Sequence, residues 1–280
     1  MDGDTAAEQS SSPMKPALLP PEASRRTAIA IASGLAIAAI LLLERARPLR
    51  RRTQPAMRRS VRNAMMGALC ASVVVAVEQP LSRSIAIDNV RRRRGLAQQA
   101  PRALRPATAF LAMDYGFYLW HVATHEVPWL WRLHRVHHVD PDLDMSTAVR
   151  FHMVDMLVSL PWRAAQVRIS GIDPATLDRW QLFFTLSILF HHANLRLPAD
   201  WDRRLAWLVT TPAMHGIHHS ARRDERDSNW SSGLSLWDRL HGTLRQDVAQ
   251  DALTIGVDDA RALADVPIER AMRAPFDAVG

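Results

Sequence analysis

All twelve histidines of this 280-residue chain fall between His121 and His241, and most are patterned. His121 and His125 form H-x3-H. His134, His137 and His138 form H-x2-H-H, and His215, His218 and His219 repeat it. Imidazole is the commonest metal-ligating side chain. On a helix, residues three or four apart share a face. H-x3-H therefore offers one metal two ligands, while H-x2-H-H can give two imidazoles to one metal and the third to a neighbour. Eight such imidazoles exceed what one four-coordinate zinc takes and suit two metals with positions open for oxygen.

Further residues extend the set. His192, in His-Ala-Asn at the end of an apolar stretch, is taken as a ninth ligand, with Asn194 as a nearby polar group. Asp114 and Tyr118 share a helical face with His121 and His125, so Asp114 is placed to orient an imidazole through its free N–H. His152, Asp227 and Asp238 are further candidates for groups that support the ligands. His191 and His241 are left outside the ligand set, and no catalytic residue is named beyond the ligands.

Competing chemistries fit less well. His125-Glu126 does not open an H-E-x-x-H zinc-hydrolase motif, because Trp129 stands where the second histidine belongs. A metal carrier should hold ligands near a bilayer midplane, whereas these histidines sit at helix ends and in the polar segments that follow. A membrane zinc hydrolase and a non-enzymatic metal-binding or transport protein are the alternative readings. Cys70 is the only cysteine, which excludes an internal disulfide, and its place in an apolar run argues against a cysteine-based metal site.

The elements that must position these residues are apolar helices. Residues 1–26, rich in Ser, Pro, Ala and charge, read as a disordered tail. Thr27–Leu43 is an uncharged run at the short end of a membrane span. Asn63–Val77 is a second, expected to stop at Glu78 and Pro80. Between them lie eight arginines, from Arg45 to Arg62, which the positive-inside rule assigns to the cytoplasm. The following loop, with Arg91 to Arg94, is nearly as basic, so charge alone does not fix orientation. The formal charge of +7 accords with anionic lipid contact; the apolar segments argue against a nucleic-acid partner. Pro106 opens a helix that delivers His121 near an interface. Met153–Ile172 and Thr176–Leu195 read as a helical hairpin. No strand pattern persists, so the expected fold is all-α.

The segment from Asp114 to Thr243 resembles the fatty acid hydroxylase/sterol desaturase superfamily of membrane diiron enzymes. The likeness rests on D-Y-G-F-Y-L-W-H-V-A-T-H (114–125), W-R-L-H-R-V-H-H (131–138) and R-F-H (150–152). It continues in H-A-N-L-R-L-P (192–198), T-P-A-M-H-G-I-H-H-S (211–220) and W-D-R-L-H-G-T (237–243). Two departures are Val122, where the family commonly has arginine, and His241, where it often has an aromatic residue. The resemblance implies an O2-dependent enzyme that hydroxylates or desaturates a C–H bond of a membrane lipid, whether fatty acyl, sterol or hopanoid, carotenoid or sphingolipid. It implies two iron ions, and electrons from NAD(P)H through a separate redox protein such as a cytochrome b5-like protein or a ferredoxin. The absence of histidine before residue 121 excludes a bis-histidine haem in the N-terminal part.

The expected architecture is thus a multi-pass membrane helical bundle with a histidine-rich metal-binding cap on the cytosolic side. Its parts are the tail (1–26), N-terminal membrane helices and basic loops (27–106), the diiron domain (107–245) and a C-terminal tail (246–280).

Overall fold

The computed structural model describes residues 21–257 and 267–276. The first helix, α1 (Pro21–Ala46), already departs from expectation. Residues 1–20 of the expected tail lie outside the described residues, but 21–26 are helical. Pro21 suits a first helical turn, and no glycine or proline follows until Gly34. The chain divides into two compact units at Ala36/Ile37.

α2 (Ala56–Val73) runs through a π-helical turn, Val74–Glu78, into α3 (Gln79–Arg92). The expected stop at Glu78 and Pro80 is therefore absent. Proline lacks the N–H that bonds the i−4 carbonyl and crowds that carbonyl; the wide turn directly before Pro80 is where the helix absorbs the mismatch. Glu78, charged within an apolar stretch, accepts from Arg163 at 2.9 Å. By length and composition, two helical stretches among the described residues can cross a membrane: Thr27–Ala46 and Ala56–Gln99.

α4 (Leu96–Gln99) leads to α5 (Arg105–Glu126), opened by Pro106 as expected. Then follow α6 (Pro128–His138), α7 (Met153–Ser170) and α8 (Pro174–His192). α7 and α8 form the expected hairpin, and α7 continues through Pro161. Its turn requires Gly171, at φ +69°, which lies so close to Gly95 that neither position has room for a β-carbon. Asp173 caps α8 by accepting from the Ala175 and Thr176 N–H groups. α5 packs against α6, α7 and α8. Its Ala109 and Met113 join Val167, Leu177, Trp180 and Phe184 in the main apolar core.

The rest consists of short helices and loops: α9 (Ala199–Leu205), α10 (Pro212–His218), α11 (Arg223–Arg226), α12 (Leu236–His241) and α13 (Ile268–Arg273). The described residues contain no strand. Three isolated bridges tie loops together, among them Pro48 with Leu195. The fold is all-helical, as expected.

Candidate metal centre

Four elements converge to bring the histidines together. α5 carries His121 and His125, α6 carries His137 and His138, α8 ends in His192, and α10 carries His215 and His218, with His219 next to it. The result is two buried groups of four. One holds His121, His125, His138 and His218; the other holds His137, His192, His215 and His219. Within each group the candidate ligand nitrogens all lie within 4.8 Å of one another. The rings of His138 and His219 stack between the groups at 4.2 Å. Eight of the nine expected ligands are thus assembled. The second H-x2-H-H divides as anticipated, His215 and His219 to one group and His218 to the other.

His134 is the exception and belongs to neither group. Residues at i and i+4 lie a helical turn apart, so while His138 enters the first group, His134 stays one turn back. Its ring stands 5.0 Å from that of His125, and its Nδ1 lies 3.8 Å from Asp155. The His191 ring lies tilted 4.1 Å from that of His215, also outside both groups.

Hydrogen bonds decide which nitrogen each ring presents. His121 Nδ1 donates to the Trp230 carbonyl at 2.7 Å, and His218 Nδ1 to Ser228 at 2.9 Å. In the other group, His137 Nδ1 donates to Arg150 at 3.2 Å, and His192 Nδ1 to Ile188 at 2.8 Å. A carbonyl only accepts, so in a neutral ring Nε2 is then a bare lone pair. Burial favours the neutral form: it holds His218 down at about 3. Burial, reinforced by neighbouring imidazoles, pushes His138, His215 and His219 well below the usual imidazole range.

The consequence, clearest for His137 and His192, is a meeting of lone pairs that a bound cation would relieve. His137 Nε2 and His192 Nε2 lie 3.0 Å apart, lone pair facing lone pair. His215 Nε2 stands 3.0 Å from His192 Nε2 and 3.1 Å from His219 Nε2. In the first group both nitrogens of His125 and His138, and Nε2 of His218, are buried without a hydrogen-bond partner. An unsatisfied buried polar atom costs about 1–3 kcal/mol, so this many in one place fits metal-binding groups. The donor set, imidazole throughout, suits iron among other first-row metals.

A cavity of about 200 Å³ adjoins these rings. Phe117, Trp120, Phe151, Met156, Phe184 and Ile188 supply its apolar wall, and His121, His134, His137, His192 and His215 also line it.

The expected supporting residues are placed differently from their assignment. Asp114 reaches no imidazole; it accepts from the Leu234 N–H at 3.0 Å and the Trp237 indole at 2.8 Å, and Gly233 leaves it room. Its offset from His121 matched the helix face, but its carboxylate bonds an unrelated turn. His152 caps α7, accepting from Val154, and donates to Met272 at 3.0 Å. Asp227 pairs with Arg223 and stays 4.0 Å from His125 Nδ1. Asp238 acts one step removed: it accepts from the Trp230 and Ser231 N–H groups and from Thr243, fixing the segment whose carbonyl holds His121. Tyr118 meets the same Thr243 at 3.1 Å. Asn194 exchanges two 2.8 Å hydrogen bonds with the backbone of Arg50.

Two further supports are buried arginines, one of them the first residue of the R-F-H stretch. Arg150 is fully buried; its Nε donates to the Val136 carbonyl at 2.8 Å and its Nη1 to Asn63 at 3.0 Å, while its own carbonyl holds His137. Arg59, one of the arginines assigned to a cytoplasmic surface, is buried against Asp140 and Asp144 at 3.3 and 2.7 Å.

Residues 106–243 match the model of the fatty acid hydroxylase family, and the chain belongs to this superfamily. It is 31% identical over 134 residues to alkylglycerol monooxygenase of Xenopus tropicalis, which covers 48% of this chain and 29% of that protein. It is 28% identical over 160 residues to the ornithine lipid hydroxylase OlsE of Rhizobium tropici, 57% of this chain and 47% of that one. Against human cholesterol 25-hydroxylase the identity is 28% over 138 residues, 48% and 49% of the two chains. The chain thus spans less than half the length of each of these relatives. No solved structure matches it.

Proposed function

We propose that the chain is a membrane-bound lipid hydroxylase with a pair of iron ions, one in each group of four histidines. The observation that carries this reading is the set of inward-facing, unprotonated nitrogens, above all the 3.0 Å approach of His137 Nε2 to His192 Nε2. The relatives' names describe monooxygenation or hydroxylation of an alkylglycerol, an ornithine lipid and cholesterol. What those names share is oxidation of a lipid.

Iron bound there supplies the activation of O2 that oxidation of an unactivated C–H bond requires. The chain's own residues do the rest. The carbonyls of Trp230, Ser228, Arg150 and Ile188 fix four rings in one tautomer and orientation. Phe117, Trp120, Phe151, Phe184 and Ile188 exclude water and take an apolar chain against the rings of His121 and His192. Electrons come from NAD(P)H through a separate redox protein, as the family resemblance suggests. The arginine-rich loop after Ala46 is hydrogen-bonded to Asn194, two residues beyond His192. That pairing supports a reading in which the basic loop and the metal groups share one side of the membrane, which we take as the cytoplasmic side.

Elemental analysis of detergent-purified full chain tests the reading, beside a His137→Ala/His218→Ala variant that removes one ligand from each group. About two irons per chain, lost in the variant, are expected. Zinc alone in protein purified without air, or metal retained by the variant, would overturn it.

A further inference from the structure

A second site lies in the loop that follows the first candidate span. There, a cavity of about 480 Å³ is lined by Arg45, Arg50, Arg51, Arg52 and Arg196, with Glu44 as the one carboxylate. Glu44 does not neutralise it. One of its oxygens accepts from the Met145 and Asn194 N–H groups and the other faces Arg52 at 3.3 Å. The Arg45 and Arg51 guanidiniums make no hydrogen bond or ion pair within the described residues, and Nε and Nη2 of Arg50 are buried without a partner.

Its walls are held in place. Leu49 N–H donates to the Asn194 carbonyl at 3.1 Å and Arg196 N–H to the Arg47 carbonyl at 2.8 Å. Arg196 also donates to the Leu49 carbonyl at 2.8 Å. Five arginines against a single carboxylate around one cavity favour an anion there. Guanidinium matches phosphate oxygens in geometry as well as charge.

We propose that this cavity binds the phosphate of an anionic ligand, and that the ligand is a membrane phospholipid. The candidate span Thr27–Ala46 ends at its edge and the next begins at Ala56. The arginines between them therefore stand in the chain where lipid head groups meet the protein. The occupant also has a route to the histidines, because Arg50 donates to Gln250 and to the Pro212 carbonyl of α10, beside Gly216. The binding itself does not depend on the metal.

The test uses the detergent-solubilised full chain, titrated calorimetrically with short-chain phosphatidylglycerol, short-chain phosphatidylcholine and glycerol 3-phosphate. Wild type is compared with Arg45→Gln/Arg51→Gln, whose guanidiniums support nothing else in the fold. Phosphatidylglycerol should bind at least about tenfold tighter than phosphatidylcholine, and the double variant should lose about 25-fold of that affinity. Equal binding of the two lipids, or an unchanged affinity in the variant, would overturn the site. Glycerol 3-phosphate binding as tightly as the lipid would overturn the membrane source and assign a soluble phosphate ligand. Metal content measured on the same samples separates a failure here from a failure of the metal centre.

Discussion

His121 and His218 in one group, and His137 and His192 in the other, each commit Nδ1 to a backbone carbonyl, but the carbonyls belong to different kinds of structure. Those of Trp230 and Ser228 lie on a single loop between α11 and α12. That loop turns at Asn229, in the left-handed region at φ 51°, whose side chain donates to Met214 and Arg245. Asp238 then ties down its far end. The other group rests on a turn of α8 itself and on Arg150, buried against α6 and α2. One group hangs on a loop, and the other on a turn of α8 and on a loop residue whose side chain is anchored to two helices. A chain can therefore disturb the first without unfolding, and cannot easily disturb the second.

The sharpest way to break this comparison is to remove one ligand from each side. His138→Ala and His219→Ala should each lower iron to about half the wild-type content and abolish lipid oxidation. Loss of all iron from either variant would mean that the groups act as one centre.

Acid should act on both groups. Burial holds the eight histidines of the two groups neutral in the fold, whereas the same rings in the unfolded chain bind a proton below about pH 6.5. Metal-free protein is thus fully stable in this respect above that pH. It loses about 1.4 kcal/mol per pH unit for each such histidine as pH falls. For His218 the loss continues to about pH 3. Chemical denaturation between pH 8 and 5 reads the slope, and a flat profile would break the account of neutral rings.

Arg150→Met should cost about 3 kcal/mol, because it strands the Val136 carbonyl and Asn63 in the interior. It should loosen iron in the second group before the first, read as the order of release to a chelator. The smallest effect expected is that of Asp238→Asn. It should weaken iron in the first group about tenfold and leave the second unchanged. Equal weakening of both would erase the distinction between loop and helix support.

The histidine core was largely legible in the sequence, because helical spacing is local and α5, α6 and α10 kept it. His134 shares a helix face with His138 but sits a turn back, outside both groups of four, and spacing alone does not say which turn of α6 enters a group. The supporting carboxylates were least legible. Asp114 and Asp238 are joined to turns through contacts such as Asp114–Trp237, 123 residues apart, which no periodicity reports. Arg59 read as part of a basic loop, yet Asp140 and Asp144 let it be buried, and the R-F-H stretch did not report that Arg150 is buried against Asn63. Pro80 marked a helix end that a π turn removed.

The four carbonyl-bound rings carry one further consequence. Ligands that must first shed a proton make metal capture acidify the solution. Here the remaining proton of His121, His137, His192 and His218 already sits on the far side of the ring, away from the other nitrogens. At neutral pH those rings have nothing to release. The heat of loading should then be the same in buffers of very different ionisation enthalpy, and the protein meets its metal with the protonation already settled by the fold.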